Sequence, residues 1–275
     1  MRIEAFAKVN FTLEVFGVRP DGYHALRSVV VPVSLHDTIE VEPACSLASD
    51  SGYPDDLCIK AARALDPSRG ARISVTKRIP AGGGLGGGSA DAAAVLVALN
   101  EIWKLGRSRA ELAEIGAQVG SDVPSLVTGG CVLMEGRGEK VTPMECPRLN
   151  LVICNPGVHS STAEVYSVCG ERTSGDSGVL DAAIAALRSG DLEKIAASFV
   201  NDLAPAACRL HPEISEAMAL LQSAGAVGVS MTGSGSSVFA LVQDEGNARR
   251  IAAEIKAKGF AAWPVVTCPL ACDLV

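Results

Sequence analysis

The residues best suited to chemistry form a glycine-rich stretch at 82–88, in which only Leu85 is not a glycine. A strand pattern at 71–77 precedes the stretch, and an alanine-rich helix pattern follows it. Glycine lets another group approach the backbone closely, and a helix N-terminus presents unpaired N–H groups with a partial positive charge. The stretch therefore predicts an anion site, and phosphate is the anion that such sites typically bind.

Three other interpretations of the glycines are weaker. A hinge or tight turn needs one or two glycines and leaves the others unexplained. The P-loop pattern fails because no lysine follows the last glycine. The dinucleotide pattern G-x-G-x-x-G is formally present, but residues 101–108 read as a helix end and loop where a strand ending in an acidic residue is expected. We therefore predict a phosphate-binding loop of another type.

The N-terminal strand supplies two polar candidates. Residues 2–15 alternate between apolar and polar side chains, with Phe6 as the exception, which predicts a strand with one polar face. Lys8 and Asn10 are neighbours on that face. From this segment alone a solvated face is the favoured interpretation, and a functional pair is the alternative.

Further candidates lie at turns and helix ends. The sequence Pro20-Asp21-Gly22 predicts a turn, and the Tyr-His pair that follows is either an ordinary surface pair or a platform for binding a base. Asp122 lies between two predicted helices, where a helix cap is the ordinary interpretation. A second glycine-rich segment at 232–236 separates two predicted strands and would otherwise be a plain hairpin loop.

The composition restricts the functional class. The chain has 275 residues and a net charge of −7 without a basic cluster, which argues against a nucleic-acid partner. No apolar run reaches the roughly 18 residues of a membrane span, and the N-terminus has no signal-peptide pattern. Nine scattered cysteines without zinc-like spacing are typical of a reducing compartment. We therefore expect a cytoplasmic protein without nucleic-acid or membrane partners.

The order of predicted elements divides the chain near residue 149. Strands at 149–154, 226–231, 237–242 and 260–267, with helices between them, give the β-α-β-β-α-β order of a ferredoxin-like unit with extra helices inserted. The preceding part mixes strands and helices around the glycine-rich stretch, and Pro32 predicts an edge or a bulge in its strand. We predict an α+β fold with domains at 1–148 and 149–275, and a loop at 170–178.

Four motifs together resemble the GHMP small-molecule kinases. They are Ala-Lys-Val-Asn at 7–10 with Arg-Pro-Asp-Gly-Tyr-His at 19–24, the glycine-rich stretch to Ser89, Gly-Ser-Asp-Val-Pro at 120–124, and residues 231–239. Within that family the resemblance is strongest to kinases of a cytidine diphosphate derivative of methylerythritol. Two segments depart from the common pattern: Ser-Ala-Asp at 89–91 replaces Ser-Ser-Asn, and Asn-Asp-Leu-Ala at 201–204 replaces Asn-Asp-Leu-Glu.

The resemblance implies a fold, ligands and site residues. The fold is a two-lobed one, with an N-terminal α/β lobe like ribosomal protein S5 and a ferredoxin-like C-terminal lobe. ATP is the implied cosubstrate and Mg²⁺ the implied metal, with Ser89 as the one candidate ligand. The implied ATP-binding residues are Pro80, Gly82, Gly83, Gly84, Leu85, Gly86, Gly87, Gly88 and Ser89.

The resemblance also implies the catalytic and substrate residues. Asp122 would take the proton from the attacking hydroxyl, and Lys8 would stabilise the charge that develops there. The implied substrate-binding residues are Asn10, Tyr23, His24, Tyr166, Thr232 and Gly233. Among them, Tyr23 and Tyr166 would sandwich the cytosine ring and His24 would hydrogen-bond to its edge, although an ordinary core aromatic is the alternative for Tyr166.

Two other functions stay open at this point. The first is a GHMP kinase for homoserine or a mevalonate derivative, and the second is a non-catalytic nucleotide-binding module on the same fold. Tyr23 and His24 favour a cytidine substrate, because a substrate without a base has no use for them. The presence of both Lys8 and Asp122 speaks against the module. The sequence is compatible with either a monomer or a homodimer.

Overall fold

The first of two β-sheets is organised around a pair of long antiparallel strands, β1 (Arg2–Val18) and β2 (His24–Ala44). The structure is a computed structural model that describes residues 1–20, 22–52, 55–169 and 178–274. The other strands of this part are β3 (Ala48–Ser49), β4 (Gly70–Thr76), β5 (Val132–Gly136) and β6 (Lys140–Pro143). One half of β2 pairs with β5 and the other half with β4, so β2 lies inside the sheet.

Four helices cover one side of this sheet and position the glycine-rich stretch. They are α1 (Leu57–Leu65), α2 (Gly87–Ile102), α3 (Arg109–Gly116) and α4 (Val123–Thr128). Helix α2 packs on β1 and β2, and residues 90–100 of it are all buried. Its many alanines allow this close approach, because a methyl group fills little space between a helix and a sheet. The start of α2 is thereby held firmly beside β1.

The second sheet contains the strands β7 (Asn150–Asn155), β9 (Gly228–Met231), β10 (Val238–Val242) and β11 (Ala261–Val266) in the order β11-β7-β10-β9. The helices are α5 (Thr162–Val168), α6 (Val179–Ser189), α7 (Leu192–Ala197), α8 (Ala204–Leu210), α9 (Pro212–Ser223) and α10 (Glu245–Ala257). All neighbouring strands of the sheet are antiparallel. This is the predicted ferredoxin-like arrangement, and the predicted α+β fold is confirmed.

Two short strands from the second half of the chain join the first sheet. Strand β8 (Val200–Asn201) pairs in parallel with β1, and β12 (Cys272–Leu274) pairs with β1 in the antiparallel direction. The rings of Phe11, Phe199 and Phe239 pack together between the two sheets, with centroid distances of 5.0–5.7 Å. The boundary near residue 149 stays a prediction, and most of the predicted loop at 170–178 lies outside the described residues.

The polar face of β1 is buried, so its interpretation as a solvated face is wrong. Lys8, Asn10 and Glu14 are 3%, 1% and 0% exposed. Thr232 and Gly233, in the turn after β9, donate hydrogen bonds to Asn10 on this face, and Arg27 of β2 forms an ion pair with Glu14. Alternation along a strand shows which side chains share a face, but it does not show what another part of the chain places over that face.

Pro32 lies at a bulge, as predicted, but not at a sheet edge. The pairing of β1 with β2 shifts between Phe6 and Lys8, and Lys8 lies opposite Pro32 after the shift. The carbonyl oxygen of Pro32 accepts a hydrogen bond from the Cys268 N–H at 2.9 Å. Proline lacks the N–H that regular pairing requires, and the bulge removes that requirement. None of the described helices combines the length and the apolar character that crossing a membrane requires.

Candidate active site

A cavity of about 930 Å³ lies between the two lobes. Of the residues predicted from the sequence to form the site, all but Thr232 lie in its wall. Thr232 lies directly behind the wall, fully buried, where its hydroxyl donates to Asn10 Oδ1 at 3.1 Å. The structure therefore brings together residues from six separate segments of the chain, from β1 to the turn after β9.

The glycine-rich loop connects β4 to the N-terminus of α2. Gly86 is the N-cap residue with a left-handed φ of 70°, and Gly87 and Gly88 form the first helical positions. The unpaired N–H groups of a helix start and its partial positive charge are thereby presented in the cavity wall. This arrangement is what phosphate binding requires.

The first three glycines of the loop also have a structural role that the sequence did not reveal. A Cβ atom on Gly82 would collide with the His159 ring, and one on Gly84 would collide with the Thr232 carbonyl oxygen. At Gly83 it would lie 2.6 Å from Ser237 Oγ. These glycines allow the loop to pack directly on the second lobe. Only the later glycines, from Gly86 onward, lack such close backbone contact with that lobe.

Lys8 and Asp122 meet in the cavity wall. Lys8 Nζ lies 3.5 Å from Asp122 Oδ2 and donates a hydrogen bond to Asn10 Oδ1 at 2.8 Å. Asp122 occupies the N-cap position of α4, but its side chain accepts no capping hydrogen bond. The carboxylate is turned toward Lys8 instead, so the helix-cap interpretation is wrong. An ammonium and a carboxylate facing one point can share the work of activating a hydroxyl.

Asn10 fixes the position of Lys8. Its side-chain oxygen accepts hydrogen bonds from Lys8 Nζ, from the Thr232 hydroxyl and from the Gly233 N–H at 2.8, 3.1 and 2.9 Å. Its Nδ2 donates to Ser28 Oγ at 2.8 Å. With both ends of the amide held, Asn10 has one orientation, and the lysine ammonium is aimed by it. The second glycine-rich turn therefore takes part in the site and is more than a hairpin loop.

The segment at 201–204 has no local sequence signal for its role, but the structure shows what it does. Asn201 Nδ2 donates to the carbonyl oxygens of Met231 and Gly233 at 2.8 and 2.9 Å, and Asn201 Oδ1 accepts from the Leu203 N–H. Asp202 Oδ2 accepts from the Val15 N–H on β1 at 2.9 Å. The segment thus ties the second glycine-rich turn to β1 beside Asn10.

Tyr23, His24 and Tyr166 line one end of the cavity. The rings of His24 and Tyr166 stack with a centroid distance of 5.1 Å and an interplanar angle of 29°. His24 Nδ1 lies 3.2 Å from the Phe16 carbonyl oxygen, so it carries the proton and leaves Nε2 as an acceptor. Burial, with a smaller contribution from Asp122, raises the pKa of Tyr166 to about 12, which keeps its hydroxyl neutral. Tyr23 is 53% exposed.

A buried charge cluster lies beside the start of α2, where Lys77 Nζ is 3.4 Å from the position that a Cβ on Gly87 would take. Lys77 Nζ donates to Asp37 Oδ2 and to Asp91 Oδ2 at 2.5 and 2.7 Å. Burial first, and then the Asp37 carboxylate, raise the pKa of Asp91 to about 7 against the opposing effect of Lys77. Asp91 Oδ1 is buried and has no hydrogen-bond partner among the described residues. The only sequence signal for this cluster was the departure at 89–91.

A magnesium ion bound with ATP would need oxygen ligands near the glycine-rich loop. Within the described ranges, no group of three or more His, Cys, Asp and Glu side chains converges on one point. Ser89 Oγ lies 3.8 Å from the position that a Cβ on Gly120 would take, two residues before Asp122. Mg²⁺ prefers oxygen ligands and keeps several waters, so a hydroxyl and one carboxylate beside a polyphosphate suit it. The Ser89 hydroxyl in the cavity wall therefore fits such an ion.

Comparison with known proteins agrees with this geometry. Residues 56–130 match the family model for the GHMP kinases N terminal domain, and residues 183–261 match the GHMP kinases C terminal model. A protein of Pelotomaculum thermopropionicum called 4-diphosphocytidyl-2-C-methyl-D-erythritol kinase is 42% identical, with 92% of each chain covered. The chain belongs to the GHMP kinase family. A protein of the same name from Citrifermentans bemidjiense is 41% identical to this GHMP kinase, covering 97% of the chain and 99% of the relative.

Solved structures give the same family assignment. A crystal structure described as 4-(cytidine 5'-diphospho)-2C-methyl-D-erythritol kinase is 35% identical to this GHMP kinase and covers 97% of it with a TM-score of 0.85, 99% of that chain being matched. Homoserine kinase from Cytophaga hutchinsonii aligns over 100% of this chain and 97% of its own with a TM-score of 0.80, at 20% identity. The second likeness shows the shared fold alone. The predicted resemblance to the GHMP kinases is confirmed.

Proposed function

We propose that this GHMP kinase transfers the γ-phosphoryl group of ATP to the 2-hydroxyl of 4-diphosphocytidyl-2-C-methyl-D-erythritol, a step in the non-mevalonate route to isoprenoid precursors. The main support is that the glycine-rich loop, the Lys8–Asp122 pair and the aromatic side chains all line one cavity. The aromatic side chains are those of Tyr23, His24 and Tyr166. Each part suits one part of that reaction. The curated relatives at about 40% identity carry the name of this enzyme.

The loop would bind the triphosphate of ATP. The N–H groups at the start of α2 point into the cavity wall, and Ser89 adds a hydroxyl there. Ser89 would contribute its hydroxyl to Mg²⁺, which supplies positive charge against the phosphate oxygens when it is bound. The chain as a whole carries a net charge of −7, so these local positive groups are what attracts the nucleotide.

Lys8 and Asp122 would carry the chemistry. Phosphoryl transfer depends mainly on positioning and on stabilising charge, because its transition state is loose. Asp122 would accept the proton of the attacking hydroxyl, and Lys8, only 3% exposed, would stabilise the oxygen that loses it. Asn10 holds Lys8 in place through its side-chain oxygen. A Lys–Asp pair with only a structural role would need no such aimed ammonium in a cavity wall.

The aromatic end would bind the cytidine. With the proton of His24 held at Nδ1 by Phe16, its Nε2 can accept a hydrogen bond from the exocyclic amino group of cytosine. Tyr23 offers a partly exposed ring for stacking, and Tyr166 packs behind His24 and narrows this end. Homoserine and mevalonate have no base, so these groups would be without purpose in kinases that act on them.

The division of labour between lobes follows from these roles. Residues 1–148 would form the lobe that binds ATP, and residues 149–275 the lobe that contributes Tyr166 and the second glycine-rich turn. We further propose that the enzyme works in the cytoplasm as a monomer or a homodimer, with no nucleic-acid or membrane partner.

One assay tests the proposed function. ATP consumption is measured with 4-diphosphocytidyl-2-C-methyl-D-erythritol, L-homoserine and mevalonate in parallel, each with Mg²⁺. Turnover with the cytidyl substrate alone is the expected result. Turnover with homoserine or mevalonate, and none with the cytidyl substrate, would assign the protein to another GHMP kinase, and no turnover with any of them would favour a nucleotide-binding module.

A further inference from the structure

The basic side chains in the cavity wall differ in how their charge is used. Lys8 faces Asp122, and Lys77 lies between Asp37 and Asp91. Arg137 also lines the cavity, but within the described part of the chain it forms no ion pair with a carboxylate. Glu139, two residues further on, is ion-paired with Arg19 at 3.0 Å instead.

Arg137 lies between the aromatic end of the cavity and Asp122. It lies in the turn between β5 and β6, and its guanidinium carbon is 5.3 Å from the centre of the Tyr23 ring. Its Nη2 donates a long hydrogen bond of 3.4 Å to the Ala117 carbonyl oxygen. The next residue, Gly138, packs so closely on the Ser121 carbonyl that a Cβ atom would collide with it. The turn is therefore anchored beside Asp122, while the guanidinium reaches toward Tyr23.

We propose that Arg137 binds the diphosphate of the substrate; this inference rests on the proposed function. A substrate whose base lies at Tyr23 and His24, and whose hydroxyl lies at Asp122, must carry its diphosphate past the space between them. Arg137 borders that space, and its side-chain N–H donors are not occupied by any carboxylate of the described residues. A guanidinium offers two parallel N–H groups to phosphate oxygens, and its contact with Tyr23 keeps it at the nucleoside end. Arg137 is thus a specificity residue for a nucleoside diphosphate over the bare nucleoside.

The test uses fragments of the substrate as ligands of the intact protein. Dissociation constants are measured for cytidine, CMP and CDP with the wild type, Arg137→Gln and Arg137→Lys. Arg137→Gln should raise the dissociation constant of CDP about 10–100-fold, the scale of one bidentate charge-assisted contact, and that of cytidine less than about threefold. Arg137→Lys keeps the charge but loses the planar guanidinium group. Its dissociation constant for CDP should lie between those of the wild type and the glutamine variant.

A matched control separates local contact from net charge. Lys140 lies three residues further on, is exposed, and does not line the cavity. Lys140→Gln removes the same charge and should leave all three ligands bound as in the wild type. Thermal unfolding of each variant checks that the fold is kept, and the Lys variant preserves the test if the Gln variant unfolds.

The outcomes distinguish this inference from the proposed function. If the wild type binds CDP more tightly than cytidine and only the Arg137 variants lose that preference, the inference stands. If Arg137→Gln weakens cytidine and CDP equally, or Lys140→Gln has the same effect, the diphosphate role is overturned while the kinase assignment stays. If the wild type binds none of the three cytidine ligands, the proposed function fails and the inference fails with it.

Discussion

Two glycines of the loop, Gly86 and Gly88, should respond in opposite ways to the same substitution. At Gly86 the φ of 70° is left-handed, and a Cβ would lie 3.0 and 3.1 Å from Lys8 Cγ and Cε. At Gly88, in the first turn of α2, φ is not left-handed, and the nearest atom to a Cβ would be Leu57 Cδ1 at an ordinary 3.5 Å. The protein itself thus requires a glycine at Gly86 and has no steric reason for one at Gly88.

The magnitudes follow from this geometry. Gly86→Ala should lower the free energy of unfolding by about 1–2 kcal/mol, the cost of a left-handed alanine. It should also shift Lys8 by a few tenths of an ångström, since Asp122 Oδ2 lies behind at 3.6 Å. Gly88→Ala should raise the free energy of unfolding by up to about 1 kcal/mol, because alanine is the better helix former.

The same two substitutions should also change the kinetics of the enzyme, each in a different constant. If phosphate oxygens approach the N–H groups at the start of α2, the methyl group of Gly88→Ala enters their space. We expect its KM for ATP to rise at least about tenfold, which is about 1.4 kcal/mol of lost binding. Gly86→Ala should mainly lower kcat, because it displaces the Lys8 ammonium from the site of transfer.

The assays are urea unfolding without ligand and steady-state kinetics with ATP varied. A Gly88→Ala protein with the KM of the wild type would refute the phosphate cradle, because nothing in the protein would then explain the glycine. A Gly86→Ala protein as stable as the wild type would refute the geometry assigned to the loop and its contact with Lys8.

Two further predictions concern buried groups around the site. Asn201→Asp should lower kcat at least about tenfold, because a carboxylate cannot donate to the Met231 and Gly233 carbonyl oxygens. The control is Asn100→Asp, at a buried asparagine that hydrogen-bonds to the backbone of Arg107. This variant should be less stable than the wild type, but its folded form should keep the wild-type kcat. The second is a pH effect. Burial raises the pKa of Asp91 from 3.8 to about 7, so between these pH values the folded state holds a proton that the unfolded chain has released. The contribution of this group to the free energy of unfolding is therefore fully present below pH 3.8 and is lost as the pH rises to about 7. Across this pH range, the free energy of unfolding measured with denaturant should fall less for Asp91→Asn than for the wild type. Equal falls in the two proteins would contradict the raised pKa.

Local sequence signals were enough to find the parts of the site that depend on local chemistry. The glycine-rich stretch predicts an anion site by itself, because a strand, glycines and a helix start must follow one another along the chain. The Ser-x-x-Glu patterns at 108–111 and 161–164 are typical of helix starts, and in the structure Ser108 and Ser161 each accept a hydrogen bond from the N–H three positions on, at the starts of α3 and α5. The roles of Lys8 and Asp122 came only from the family resemblance, because neither residue has a local pattern that excludes a solvated face or a helix cap.

The remaining features depend on contacts between distant segments. Strand β8 has two residues and β12 has three, too few for any periodicity, and both form only because β1 offers edges to pair with. Asn201 acts on a turn thirty residues away. Arg137 belongs to no motif, and its place in the cavity depends on how the turn after β5 packs near Asp122. Such information arises from tertiary packing and could not be read from the chain in order.

The central claim is that Asp122 takes part in phosphoryl transfer, and Asp122→Asn tests it most directly. The side chain keeps its size, and because Asp122 makes no capping hydrogen bond, α4 should not be weakened by the change. We predict that kcat with the cytidyl substrate falls at least about 100-fold, the usual scale of a general base, while the dissociation constants of ATP and of the substrate stay within about threefold of the wild-type values. A kcat equal to that of the wild type would contradict the account.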